Sequence, residues 1–215
     1  MGKGAARASG AADRRAGNRA PSSRLLVVCG ASGTEPDYIR GLNAHLRNRA
    51  VRVDVLEKGR APAQVVEYGI KRATLAGQKA IGYDQLWCVL DVDDFTDHNK
   101  AVQLARSCRV IPTHVVISNP CFELWLLLHF KDVRLALSSY ADVRPHLTKH
   151  VPGYDKAIEF ARDYAARYPD AVRRAQALEP TGAAWSTNPS TAMWRLVEAM
   201  GGCACCPGAH TTPRG

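Results

Sequence analysis

The run Leu86-Trp87-Cys88-Val89-Leu90 is apolar throughout and stops abruptly on Asp91-Val92-Asp93-Asp94. An apolar stretch of this length, closed by acids at alternate positions, reads as a strand buried on both faces that ends at a charged crevice. Strand periodicity places Asp91 and Asp93 on the same side. Carboxylates so placed repel one another unless a proton or a cation lies between them. A hard divalent ion, Mg2+ or Mn2+, suits them, because it takes oxygen ligands and is often held by only one or two carboxylates. The structural alternative is that Asp93 or Asp94 caps the helix that follows.

The stretches around this strand repeat its logic. Arg24 to Cys29 is a short apolar strand closed by Gly30-Ala31-Ser32-Gly33. Thr34 is placed to cap a helix with Pro36 in its first turn, running on towards Arg49. Val51, Val53 and Val55 alternate with Arg52 and Asp54, the pattern of a half-buried edge strand. Pro62 opens a helix through Ala76, a further helix is expected over Lys100 to Cys108, and a fourth strand over Thr113 to Ile117. Strands alternating with helices at this spacing predict a parallel α/β sheet with right-handed crossovers. Ligands of such sheets bind outside the carboxyl ends of the strands. The Gly30 turn and the Asp91 cluster both follow strand ends, so one crevice can hold both. No Gly-Lys-Ser/Thr follows the turn, which excludes a P-loop.

Beyond Ile117 the character changes. Ser118-Asn119-Pro120 is helix-start chemistry, and Phe122 to Phe130 is apolar nearly all round, as in a buried helix. Glu123 sits inside that run. A buried carboxylate must be hydrogen-bonded, metal-bound or paired with a nearby Arg or Lys. From Ala136 to Met200 the pattern is helical, with Tyr154 to Tyr168 expected as one helix and Asn188-Pro189-Ser190-Thr191 opening the last.

Charge and cysteine usage bound the remainder. The chain carries a formal net charge of +9, which leans towards polyanionic partners. Residues 1–23 are basic and rich in Ala, Gly and Ser, and are expected to form a disordered arm that grips nucleic acid weakly or merely solubilises. Cys29, Cys88 and Cys121 lie in or beside apolar runs and read as small core hydrophobes. Cys203, Cys205 and Cys206, with His210, lack the paired spacing of a structural zinc site. No apolar run reaches membrane-spanning length and no secretory signal is recognised, so a cytoplasmic protein is expected. The organisation predicted is a basic tail over 1–23, an α/β unit over 24–130, a helical extension packed on the sheet over 131–200, and a flexible tail over 201–215.

Specific residues carry a family resemblance. Leu26-Val27-Val28-Cys29, Thr34-Glu35-Pro36-Asp37-Tyr38 with Gly41-Leu42, and Asp91-Val92-Asp93-Asp94 resemble RloB-like proteins. So do Ile117-Ser118-Asn119-Pro120-Cys121-Phe122-Glu123-Leu124-Trp125-Leu126-Leu127-Leu128-His129-Phe130 and Asn188-Pro189-Ser190-Thr191 ahead of Leu196-Val197. The match runs in order from about Arg24 to Met200. It implies a Toprim-like, Rossmannoid domain with a four-stranded, mainly parallel sheet. It also implies a setting in restriction-modification and phage-defence loci. In such domains an acid after the first strand and D-x-D after the third hold Mg2+ for phosphoryl transfer. This chain departs at one place: the usual C-E-G after the first strand is Cys29-Gly30-Ala31, and Glu35 is the nearest substitute carboxylate.

The functional expectation is therefore a Mg2+-dependent nuclease or related phosphoryl-transfer domain of anti-phage defence. Asp91 and Asp93 would bind metal with Asp94 in support. Glu35 or Glu123 would move the proton, Ser32 would orient a phosphate, and Lys149 and Lys156 would contact the backbone of a nucleic acid. The alternative is a catalytically weak or inactive nucleic-acid-binding or regulatory partner of a separate ATPase, since the chain holds no ATPase motif. A third reading is a phosphatase or nucleotide-sensing domain, because Toprim-like sites handle several phosphate chemistries.

Overall fold

The computed structural model describes residues 23–47, 51–57, 61–92, 96–183 and 185–202. The basic arm, the expected helix end at Arg49, Asp93, Asp94 and the group Cys203, Cys205, Cys206 and His210 lie outside these residues.

The apolar runs become the strands of one sheet. β1 (Ser23–Cys29), β2 (Val51–Glu57), β3 (Gln85–Asp91) and β4 (Thr113–Asn119) are all parallel, in the order β2-β1-β3-β4. Between them run α1 (Thr34–Leu46), α2 (Pro62–Gln78) and α3 (His98–Ser107). α1 covers one face of the sheet and α2 and α3 the other, which is why β1 and β3 are apolar at nearly every position. Side chains alternate accordingly. Leu25, Val27, Cys29, Trp87 and Val89 face α1, while Leu26, Val28, Leu86, Cys88 and Leu90 face α2 and α3.

One sequence expectation at the first crossover needs correction. Gly33, not Thr34, precedes α1: its φ of 90° is a left-handed conformation that glycine adopts without a Cβ penalty. Its carbonyl accepts the first helical bond, from Asp37 N–H at 3.0 Å. Thr34 is thereby the first helical residue, and its hydroxyl donates elsewhere, to the carbonyl of Lys156 at 3.0 Å.

Every residue of α4 (Phe122–Leu128) is buried, between the sheet, α5 (Tyr140–Leu147) and α7 (Tyr168–Leu178). Tyr38 from α1 is fully enclosed and meets Phe122, Trp125, His129, Phe160 and Tyr164 edge-on, with ring centroids 5.0–6.1 Å apart. Edge-on pairs of this kind add to the area they bury. Its phenol bonds His129 Nε2 at 2.9 Å, and His129 Nδ1 bonds the Trp125 carbonyl at 2.9 Å. A carbonyl only accepts, so Nδ1 carries the proton and Nε2 accepts from Tyr38. Burial lowers the His129 pKa to about 3 and keeps the ring neutral. Arg174 Nη1 closes the far end of α4 on the Leu128 carbonyl at 2.7 Å.

The C-terminal segment departs from the helical expectation in two places. Tyr154 to Tyr168 is not one helix: only α6 (Phe160–Asp163) forms within it, and α7 begins at Tyr168. Pro152-Gly153 precedes Tyr154, and Lys156 takes a φ of 76°, so the chain turns where a helix would have to start. Ser190–Thr191 forms β5, antiparallel to Ser118–Asn119, and gives the sheet a fifth strand. Asn188 does not cap a helix. Its amide donates to the Leu137 carbonyl at 2.9 Å and accepts from the Leu137 N–H at 3.1 Å, as a backbone partner would. α8 (Met193–Ala199) follows. Among the described residues no helix is long and apolar enough to cross a membrane.

Candidate functional site

The carboxyl ends of β1, β3 and β4 lie side by side along one end of the parallel sheet. Gly30 leaves β1 with its N–H on the Val89 carbonyl at 2.8 Å, so the Gly30–Gly33 turn lies directly beside the end of β3. A Cβ at Gly30 would stand 3.3 Å from that carbonyl oxygen and 3.4 Å from Leu90 Cδ2, so a side chain there needs the neighbouring backbone to give by a few tenths of an ångström.

Asp91 is the last residue of β3, half-buried and in register with Ser118 of β4. Alternation from Val89 puts it on the α1 face. Its carbonyl is held by His98 Nε2 at 2.8 Å. Asp97 turns away to another element, accepting the Ala63 N–H at 3.1 Å in the first turn of α2.

On the same α1 face lie Glu35, in the first turn of α1, and Glu123, in the first turn of α4, only 4% and 5% exposed. Burial raises the Glu35 pKa from 4.5 to about 7; the Glu123 carboxylate adds to the rise, while the residue's own backbone N–H and the Lys156 ammonium oppose it. Glu123 accepts a hydrogen bond from the buried Tyr154 phenol at 3.1 Å. Burial and then the Glu123 charge push that phenol's pKa up, so it remains a donor. No Arg or Lys lies within ion-pair distance of Glu123 among the described residues, which removes the buried salt bridge as an explanation of it.

The expected groups therefore divide. Glu35, Glu123 and the charge of Lys156 come together, with Tyr154 and Thr34 added to them; Asp91 ends the neighbouring strand on the same face. Asp93 and Asp94 lie outside the described residues. Ser32 is exposed in the turn beside Asp91. Lys156 is exposed, its ammonium 4.7 Å over the Tyr140 ring. Lys149 is exposed past the end of α5 and forms no ion pair or hydrogen bond among the described residues. Tyr154 escaped the sequence reading because it was assigned to a helix face. The Pro152-Gly153 breaker ahead of it was the signal that it belonged to a turn.

Glu35 and Asp91 offer oxygen donors only, the chemistry a hard divalent cation takes. Among the described residues no three His, Cys, Asp or Glu side chains gather closely enough to hold an ion. A carboxyl with a pKa near 7 both gives and takes protons at neutral pH.

That carboxyl also leaves a mark on stability. A group that binds its proton more tightly folded than unfolded contributes stability that is full below pH 4.5 and lost as pH rises through about 7. His129 has the opposite sign: its contribution is present above pH 6.5 and lost as pH falls towards about 3. Glu35→Gln is expected to remove the first slope and keep the second. At about pH 8 the variant should be more stable by on the order of 2 kcal/mol, after the cost of burying an amide. That corresponds to about 4–8 °C in melting temperature for a chain of this size. Melting curves across pH check it; a loss of stability at high pH would contradict the assignment.

A family model described as RloB-like protein matches residues 25–200. No curated protein and no solved structure gives a match.

Proposed function

The chain belongs to the RloB-like family, and we propose that it is a Mg2+- or Mn2+-dependent nuclease, or a related phosphoryl-transfer enzyme, of prokaryotic anti-phage defence. The observation that carries the reading is the buried Glu35 carboxyl, raised to about 7 beside Glu123, at the same strand ends as Asp91. Structural carboxylates are ordinarily solvated or paired with a cation; an acid pair kept in a dry crevice is what proton transfer requires.

Asp91 and Asp93 would hold the cation, with Asp94 in support. When bound, it would supply charge stabilisation at a phosphate oxygen and acidify a water. Glu35 takes the proton of the attacking water once it is ionised. Glu123 keeps the Glu35 pKa high enough to act as that base near neutrality, and Tyr154 holds Glu123 in place. Ser32, on the turn, and Lys156, beside Glu35, would receive the phosphate of a nucleic acid.

Glycine at position 30, where the resembled pattern carries glutamate, supports a second reading, a nucleic-acid-binding or regulatory partner of a separate ATPase, with chemistry lost along with the first-strand carboxylate. One experiment separates the two. Supercoiled DNA, linear DNA and transfer RNA are incubated with the chain in Mg2+, Mn2+ or chelator. Cleavage that needs the metal and rises with pH through about 7 is the expected result. Binding without cleavage, weakening steeply with salt, would overturn the nuclease reading in favour of the binder.

A further inference from the structure

A cavity lies at the β4 edge of the sheet, away from Glu35 and Glu123, with lining from both faces: His114 stacks on Trp87 of the α1 face, whereas Val115 and Ile117 belong to the other. It has a volume of about 340 Å3 and is bounded by α3, β4, α8 and the segment following α7. Its charged lining includes Arg106 and Arg195, and His114 and Trp185 form part of its wall.

Three features of this cavity point to a ligand. The first is Arg195. It is half-buried, yet its guanidinium has a single long hydrogen bond, from Nη1 to the Gly182 carbonyl at 3.4 Å, and no carboxylate within ion-pair distance among the described residues. Burial of the neighbouring His114 ring, and then the Arg195 charge, hold the His114 pKa down. The one acid in the lining, Glu179, is committed to its own loop: it accepts from Thr181 N–H at 3.0 Å, Ala183 N–H at 2.9 Å and the Thr181 hydroxyl. A guanidinium withdrawn from water without an anion is costly, and its planar fork matches a phosphate.

The second feature is the sheet edge. β5 pairs with β4 only at Ser118 and Asn119, and the Ile117 carbonyl points outward to Ala192 N–H at 3.1 Å. A residue's N–H and C=O leave a strand on the same side, so Thr113 and Val115 also turn their backbone groups outward, along the cavity wall. Among the described residues no strand covers them. An adjacent backbone donor and acceptor match the hydrogen-bonding edge of a nucleobase.

The third feature is size. A volume of about 340 Å3 holds one small molecule of roughly mononucleotide dimensions, at the lower end of ligand sites. A peptide strand along Thr113 to Ile117 would need an open groove of about 16 Å, whereas the loop pinned on itself by Glu179 lines this same cavity.

We infer that this cavity binds a nucleoside monophosphate, with its phosphate on Arg195 and Arg106 and its base against the open edge of β4. The site is separate from the Glu35–Glu123 pair, and the inference does not rest on the nuclease reading. Titration calorimetry of the full chain with AMP, GMP, adenosine and inorganic phosphate tests it. At least one monophosphate should bind about tenfold or more tighter than both adenosine and phosphate alone. Arg195→Gln should weaken that monophosphate by about tenfold to a hundredfold and leave adenosine unchanged. Arg106→Gln, on the exposed surface of α3, should weaken it less without any bearing on folding. A measurement on the unaltered chain stands beside the variants: the ligand should shift the His114 imidazole resonances and raise the His114 pKa, as Arg195 is neutralised. The inference is overturned if neither monophosphate binds better than its parts, if Arg195→Gln leaves affinity unchanged, or if His114 does not respond.

Discussion

Asp91→Asn, alone and together with Asp93→Asn, is expected to lower metal-dependent cleavage by more than about a hundredfold while the protein melts as before. The size follows from what a bound divalent cation supplies, several kcal/mol of charge stabilisation in the transition state, which two amides in place of carboxylates no longer anchor. The intact fold follows from how Asp91 is held. Its carbonyl takes the His98 bond at 2.8 Å and its backbone lies in ladder register with Ser118, two anchors that asparagine retains. Asparagine keeps the volume and removes one charge from the acidic run Asp91-Val92-Asp93-Asp94, so the melting temperature should hold or rise slightly. Cleavage assays with Mg2+ titration and a thermal melt of the same preparation provide the check. Cleavage equal to the parent's, or loss of the fold, would mean that Asp91 is a strand-end structural residue.

How much of this was legible in the sequence depended on the range of the interaction that decides each element. β1, β3 and β4 were readable because a strand sandwiched between helix layers must be apolar at consecutive positions, and Leu25 to Cys29 and Leu86 to Leu90 are. α4 was readable for the same reason, every side chain from Phe122 to Leu128 being enclosed. The placement of the Gly30 turn against the end of β3 followed from the parallel order.

The failures have a common cause. Tyr154, Phe160, Tyr164 and Tyr168 are all buried against one core, at separations close to helical, although only the short turn from Phe160 to Asp163 is a helix. They are apolar because α1 and α4 lie over them, and a long-range contact of that kind imitates local periodicity. β5 was hidden differently. A strand of two residues has no period, and Asn188-Pro189-Ser190-Thr191 has helix-start composition until Asn188 is seen bridging to Leu137. The coupling of Glu35 to Glu123 and the Arg195 cavity were invisible for the same physical reason. Each joins residues far apart in the chain, and nothing in the local spacing of either partner encodes the meeting.

Glu123→Gln is expected to reduce cleavage by about threefold to tenfold, with a signature that separates positioning from catalysis and from structure. Glutamine preserves the volume among Phe122, Leu124 and Trp125 and still offers an oxygen to the Tyr154 phenol, 3.1 Å away in the parent. What it removes is the negative charge facing Glu35. Without that charge the Glu35 pKa moves down from about 7 towards the ordinary 4.5, although burial, the larger cause, still holds part of the rise. The pH–rate profile should therefore keep its acidic limb but shift it to lower pH, with a lower plateau because a weaker base accepts the proton less readily. Glu35→Gln, by contrast, should abolish the limb. Stability gives the third axis. No cation is left unpaired by Glu123→Gln, so the penalty of about 3–5 kcal/mol for breaking a buried ion pair should not appear. Glu123→Ala strands the buried Tyr154 hydroxyl, and should cost about 1–3 kcal/mol. If Glu123→Gln melted as poorly as Glu123→Ala and left the acidic limb in place, Glu123 would be a structural acceptor for Tyr154. A shifted limb with an unimpaired melt assigns it to the proton chemistry of Glu35.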